Sequence, residues 1–186
     1  MPVDELFLDG EDRMEKTIND TKKEFSNIRT GRANPLLLDK IRVDYYGSPT
    51  PLRQVANVSV QDGQTLVIQP FDRSVVNDIE KAISKSDLGV TPNSDGTTIR
   101  ITFQPLTEDR RKDLVKGVKK IGEEKKVAIR NIRRDMTDKL KKAEKEVNLP
   151  EDEVKKHQDE IQKLTDKFTK IIDALTVDKE KEVLTV

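Results

Sequence analysis

The stretch from Thr107 to Glu146 runs for forty residues without a proline and with only two glycines, Gly117 and Gly122. Its apolar residues, Leu114, Val118, Ile121, Ala128, Ile132, Met136, Leu140 and Ala143, recur mostly in steps of three or four. That is the period of one buried helix face. Thr107 is placed to cap the start, with Glu108 and Asp109 in the first turn near the positive end of the helix dipole. At 1.5 Å per residue such a helix is on the order of 60 Å long. A rod of that length is not stable in isolation, so the sequence requires other helices to cover its apolar face.

Charge on this stretch is sorted by face. Turning about 100° per residue from Ile129, the core residues Ile129, Ile132 and Met136 fall roughly between −60° and 0°. Lys112, Lys116, Lys119, Lys126, Arg130, Arg133, Arg134 and Lys141 fall roughly between 40° and 140°, with Glu108, Glu123 and Glu144 as exceptions on that side. Residues 106–147 carry 15 Lys+Arg against 9 Asp+Glu, a surplus of six in a chain whose formal net charge is zero. Lysines alone would read as a solvated helix face. Arg130, Arg133 and Arg134 change that reading, because guanidinium groups at i, i+3 and i+4 repel one another in the free protein and suit phosphate, each fork holding two oxygens. With no Trp and 4% aromatic residues, stacking on single-stranded bases is disfavoured. Backbone and shape recognition of folded RNA is favoured, with DNA left open.

The rest of the chain divides around this helix. Residues 2–28 carry a helical pattern, with Met14, Ile18, Thr21, Phe25 and Ile28 on one face; Gly10 is expected to weaken it by roughly 1 kcal/mol. After Arg29-Thr30-Gly31-Arg32-Ala33-Asn34-Pro35 the period changes to two at Ile41, Val43 and Tyr45, as in a half-buried strand. Residues 47–51 read as a turn or loop. Strands follow at Ala56 to Gln61 and Thr65 to Gln69 around Asp62-Gly63, a hairpin signal. Asp72 or Ser74 caps a helix with Val75, Val76, Ile79, Ala82 and Ile83 inward, Gly89 stands as its C-terminal glycine, residues 93–96 turn, and a strand runs over residues 97–103. Beyond the long helix, Val147-Asn148-Leu149-Pro150 makes a bend into a third helix with heptad-like Val154, Ile161, Leu164, Phe168, Ile171 or Ile172, and Leu175.

These elements predict an α+β protein in which an antiparallel three-helix bundle, residues 1–29 and 106–186, contains an inserted small β/α/β domain, residues 32–104. Two chain crossings, at 30–31 and 104–105, are expected to act as a hinge. Low hydrophobicity (33%) and high charge (38%) fit a slender bundle rather than one large core. No apolar run approaches a membrane span, and the N-terminal residues lack a signal pattern, so a cytoplasmic protein is expected.

The residues offer no catalytic constellation. The chain has no cysteine, which excludes disulfides, thiolate metal sites and cysteine nucleophiles. His157 is the one histidine and stands among charged helix residues, where a solvated side chain is expected rather than a base. The acidic residues alternate with lysines and suggest no metal site, and no glycine-rich phosphate loop is present. No cofactor and no metal are expected.

Several stretches together resemble the bacterial ribosome recycling factor family: IRTGRANP at 28–35, VDYYGSPTPL at 43–52, LVIQPFD at 66–72, IEKAI at 79–83, DLGVTPNSDG at 87–96, PLTEDRRKDLVK at 105–116 and RNIRRD at 130–135. The resemblance implies an L-shaped, two-domain molecule, roughly transfer-RNA-like. It also implies a translation factor, not an enzyme, that works as a monomer with elongation factor G and GTP to split post-termination ribosomes into subunits. By the same resemblance the bundle binds large-subunit ribosomal RNA through Arg130, Arg133 and Arg134. Arg133 is expected to matter most, because its position on the helix brings it nearest the core edge, where a side chain is best ordered. Arg29 and Arg32 are second candidates for that contact, with shaping of the hinge the equal alternative. Elongation factor G is expected to engage the second domain and a hinge at Thr30, Gly31, Gln104, Pro105 and Leu106. Two other readings of the residues stay open here: a helical scaffold or RNA chaperone using the same stripe, and a small hydrolase on the α/β domain, for which a nucleophile and base are missing.

Overall fold

The computed structural model describes residues 2–185. It divides into two compact units, one built from the chain up to Phe25 and from Lys112–Leu184, the other from Ser26–Arg111.

The first unit is a bundle of α1 (Pro2–Ser26), α4 (Glu108–Val147) and α5 (Glu151–Leu184). Thr107 caps α4 as its position requires, its Oγ1 accepting from the Arg110 amide at 3.2 Å. Pro150 stands just before α5 and its carbonyl accepts from the Glu153 and Val154 amides, both at 3.1 Å. One core joins the three helices: Val3, Leu6, Met14 and Ile18 from α1, Ile129, Ile132, Met136, Leu140 and Ala143 from α4, and Ile161, Phe168 and Ile172 from α5. The register is antiparallel at both α4 contacts. Lys125 pairs with Glu24 and Asp135 with Arg13 on α1, while Lys126 pairs with Asp173 on α5.

Two glycines set the spacing of these helices. Gly10 is buried, and a Cβ there would overlap Sδ, Cε and Cγ of Met136. The expectation that Gly10 loosens the bundle is therefore corrected: it lets α1 approach the Met136 side chain. Gly122 does the same toward α5, where a Cβ would lie 2.5 Å from Thr176 Oγ1. Gly117 faces open space.

The second unit packs sheets and short helices on a core that includes Leu38, Val43, Leu52, Leu66, Ile68, Ile79, Ile83, Ile99, Ile101 and Phe103. Strands β1 (Arg42–Tyr45) and β2 (Ser48–Pro51) form an antiparallel pair. Strands β3 (Ala56–Gln61), β4 (Thr65–Pro70), β5 (Asn93–Ser94) and β6 (Ile99–Thr102) form an antiparallel sheet in the order β3-β4-β6-β5. The buried residues of β4 and β6 alternate, which is why their period was readable. Three expectations need correction. Residues 48–51 are a strand, since the turn is confined to Tyr46 and Gly47, both at positive φ. Residues 93–94 are a strand as well. The reversal after them is closed by Asp95, whose Oδ1 accepts from the Thr97 and Thr98 amides at 2.9 and 2.8 Å and from the Thr97 hydroxyl at 2.9 Å. Those donors hold its carboxyl down at about 2. Gly89 does not cap α3 (Val76–Ser84); the end is closed at Ser86, whose Oγ and amide both donate to the Ile83 carbonyl, and Gly89 supplies a positive φ in the following turn. A four-residue helix, α2 (Leu52–Val55), carries no periodic signal and was not expected.

Among the described residues no helix is long and apolar enough to cross a membrane.

Gly10→Ala is expected to lower stability by ~1–2 kcal/mol, because overpacking against a buried side chain outweighs the helix-propensity gain of ~1 kcal/mol. Gly117→Ala, with open space around it, is expected to raise stability by ~0.5–1 kcal/mol. Urea unfolding of both variants beside the parent chain checks the opposite signs.

Candidate nucleic-acid interface

Helix α4 presents Arg130, Arg133 and Arg134 within about 6 Å of axial rise. Arg130 and Arg134 are exposed and Arg133 is half-buried, in keeping with its place nearest the core edge. The local sequence explains this. Ile129, Ile132 and Met136 are drawn into the core, so the residues one and two positions away are turned outward along the adjoining flank.

Ion pairing separates these arginines from Lys125, Lys126 and Lys139 of the same helix. Among the described residues no carboxylate lies within ion-pairing distance of Arg130, Arg133 or Arg134. Asp135, next in sequence, accepts instead from Arg13 of α1 and from Lys139 at 3.2 Å. These hydrogen bonds, Arg13 first, hold the Asp135 carboxyl below the usual carboxylate range. The RNIRRD segment therefore does two jobs: its aspartate ties α1 to α4, and its arginines stay available.

The basic stripe is narrower than the helical-wheel reading implies. Lys126, counted there as part of the stripe, is mostly buried and bonded to Glu123 at 2.8 Å and Asp173 at 2.9 Å, which raise its pKa in that order. Its charge is spent between α4 and α5. Lys116, Lys119 and Lys141 are exposed and, among the described residues, form no ion pair. The free cations are thus a triplet of arginines with flanking lysines.

In the second unit Arg29 and Arg32 behave differently from each other. The Arg29 guanidinium lies over the Phe103 ring, 5.3 Å from its centroid, and donates to the Gln104 carbonyl at 3.4 Å. Arg32 is exposed and lines a cleft of about 330 Å³ together with Arg111 and Leu106. The hinge candidates gather at the same place. Thr30 is buried, Gly31 has φ +83°, and a Cβ on Gly31 would stand 3.5 Å from the Leu106 amide nitrogen and Cγ. Gln104 and Pro105 are exposed.

His157 departs from expectation. Its ring is half-buried against Phe7, with centroids 5.9 Å apart, and its Nδ1 lies 3.5 Å from Glu160 Oε2. It packs α5 against α1, a role that spacing on α5 alone does not reveal. Among the described residues no group of His, Cys, Asp and Glu is arranged to hold a metal ion.

A family model described as ribosome recycling factor matches residues 21–184. The chain belongs to the ribosome recycling factor family. Curated family members are similar over nearly their whole length. One from Geobacillus sp. (strain WCH70) is 54% identical over 184 residues, covering 99% of this chain and 100% of that one. One from Thermosynechococcus vestitus is 57% identical over 180 residues, covering 97% and 99%. A solution structure of a ribosome recycling factor superposes with a TM-score of 0.82 at 39% identity, covering 100% of this chain and 99% of the other. A second structure, of the T. thermophilus ribosome recycling factor with E. coli elongation factor G bound to the E. coli post-termination complex, gives 0.69 at 47% identity, with both chains covered in full. The family assignment accords with a helical bundle plus a small antiparallel sheet domain.

Because the folded Asp135 titrates below its unfolded value, its contribution is present above the unfolded pKa near 3.8 and is lost as pH falls through the folded one. The pair is partly exposed, so Asp135→Asn is expected to cost ~0.5–1 kcal/mol at pH 7. That difference should shrink toward zero below the usual carboxylate range. Denaturant unfolding of parent and variant at several pH values checks it.

Proposed function

We propose that this protein, as its family assignment supports, is a translation factor that splits post-termination ribosomes into subunits together with elongation factor G and GTP. In this reading the bundle binds large-subunit ribosomal RNA, and Arg130, Arg133 and Arg134 grip its phosphates, with Arg32 a further phosphate ligand. The observation that carries the RNA contact is the crowding of three arginines, none ion-paired among the described residues, within about 6 Å of axial rise. Neighbouring Lys125, Lys126 and Lys139 are all neutralised by carboxylates within 4 Å, whereas the residue type best suited to bidentate phosphate binding is left open. The protein performs no covalent chemistry; its action is positional, a stiff helical rod held on RNA and acted on by a GTP-driven partner. Elongation factor G engages the sheet-containing unit. Motion passes through Thr30 and Gly31 on one chain connection and Gln104, Pro105 and Leu106 on the other.

Light scattering of post-termination ribosomes tests the function. A rapid fall that needs this protein, elongation factor G and GTP together supports it. Salt-sensitive binding without any fall would leave an RNA-binding bundle of another purpose. Arg133→Ala is expected to weaken large-subunit binding about 10- to 100-fold, as for loss of a charged hydrogen-bonding group. It should also reduce the slope of log affinity against log salt by about one. Its melting temperature should stay within about a degree of the parent, since no ion pair is broken. An unchanged affinity would remove the triplet from the mechanism.

A further inference from the structure

By resemblance Arg29 is a second candidate for the ribosomal RNA contact, with shaping of the hinge the equal alternative, and its surroundings favour the alternative. Its guanidinium carbon stands over the ring of Phe103, a fully buried residue, 5.3 Å from the centroid. Its Nε is buried without a hydrogen-bond partner, and one terminal nitrogen reaches the Gln104 carbonyl at 3.4 Å. A side chain so placed has given up part of its solvation to stand against the outgoing chain connection.

The same region shows a second convergence. The incoming and outgoing connections are both tied to the β3–β4 hairpin turn at Asp62–Gln64. The Ala33 amide donates to the Gly63 carbonyl at 2.9 Å, and the Phe103 amide donates to the Gln64 carbonyl at 2.9 Å. Gly31 completes the arrangement: its positive φ turns the incoming connection alongside Leu106, which would stand at an ordinary packing distance of 3.5 Å even from a Cβ placed there. Three contacts therefore join one connection to the other: a shared hairpin turn, the packing of Leu106 beside Gly31, and the Arg29–Phe103 cation–π contact.

We infer that Arg29 is a positioning residue that braces the two chain connections into one element, and that it is not an RNA ligand. The cation lies over a buried ring, where such contacts are strongest. With the brace in place, residues 29–33 and 103–106 move together. A push on the sheet-containing unit then reaches both connections at once, instead of being absorbed by two independent linkers. The functional part of this inference rests on the recycling reading above; the structural part does not.

The test compares Arg29→Met with the parent in three measurements. Amide exchange of Ala33 and Phe103 should quicken about tenfold, the effect of losing one cation–π and hydrogen-bond contact, while amides inside β4 and β6 keep their protection. Large-subunit affinity and its salt slope should stay unchanged, because no phosphate contact is lost. The rate of ribosome splitting with elongation factor G and GTP should fall severalfold. Phe103→Leu, which keeps the charge and removes the ring, should reproduce the exchange and rate effects, and the double variant should be no worse than either single one. A salt slope lowered by about one in Arg29→Met, with or without faster exchange, would make Arg29 a phosphate ligand and overturn the inference. Unchanged exchange at Ala33 and Phe103 would overturn it as well. Were the parent protein itself unable to split ribosomes, the functional reading would fail, and the exchange and salt measurements would still decide the role of Arg29.

Discussion

The apolar seam of α4 must be covered from two sides at once, and most of the bundle follows from that. A helix of 40 residues gains little from intrinsic propensity and relies on burial of one face. Ile129, Ile132, Met136, Leu140 and Ala143 supply the seam, and α1 and α5 close over it in opposite register. Gly10 and Gly122 assist this closure by leaving no side chain where a Cβ would overlap Met136 and Thr176. Once the seam faces inward, the orientation of every other α4 residue is set by the helical period. Arg130 and Arg134 are exposed, and Arg133 half-buried, because Ile129, Ile132 and Met136 are in the core.

Periodicity made much of this legible. The extents of the long helices and the hairpin of β3 and β4 follow from apolar spacing and from Asp62-Gly63, where burial dictates the residue pattern directly. What escaped was decided by contacts between elements. Helix α2 and strand β5 are four and two residues long, too short for any period to register. Proline at 49 and 51 suggested a loop, yet β2 pairs only with β1, so an edge strand tolerates them. Gly10 looked like a weakness because propensity is local, while its actual partner, Met136, is more than a hundred residues away in sequence. His157 looked solvated for the same reason, since Phe7 cannot be seen from α5.

The candidate site shows the same division. Its location was legible because arginine at i, i+3 and i+4 on the flank of a buried face has a geometric meaning. Its composition was not. Lys126 shared the flank by angle, but Asp173 on another helix neutralises it; Asp135 stands beside the arginines in sequence, but Arg13 and Lys139 occupy it. Likewise Arg29 and Arg32 lie three residues apart in one motif, and only the position of Phe103 distinguishes a covered guanidinium from an open one. Charge in a sequence is a count of potential ligands; tertiary pairing decides which remain.

That sorting matters more in a chain of zero net charge than in a basic one. A neutral protein has no long-range field to gather phosphate toward it, so attraction must come from short distances. At physiological ionic strength exposed charges more than about 8 Å apart are largely screened from one another. The arginine triplet spans about 6 Å along the axis and acts within that distance as one multiply charged patch. Residues 106–147 carry a surplus of six positive charges, so the carboxylates that bring the total to zero lie on the rest of the chain. The acidic residues that bring the total to zero therefore do little to cancel the patch locally, while they lower the attraction of the rest of the surface for RNA in general. Neutrality overall with a concentrated unpaired triplet favours binding at a place where phosphates match the arginine spacing over adhesion to any nucleic acid.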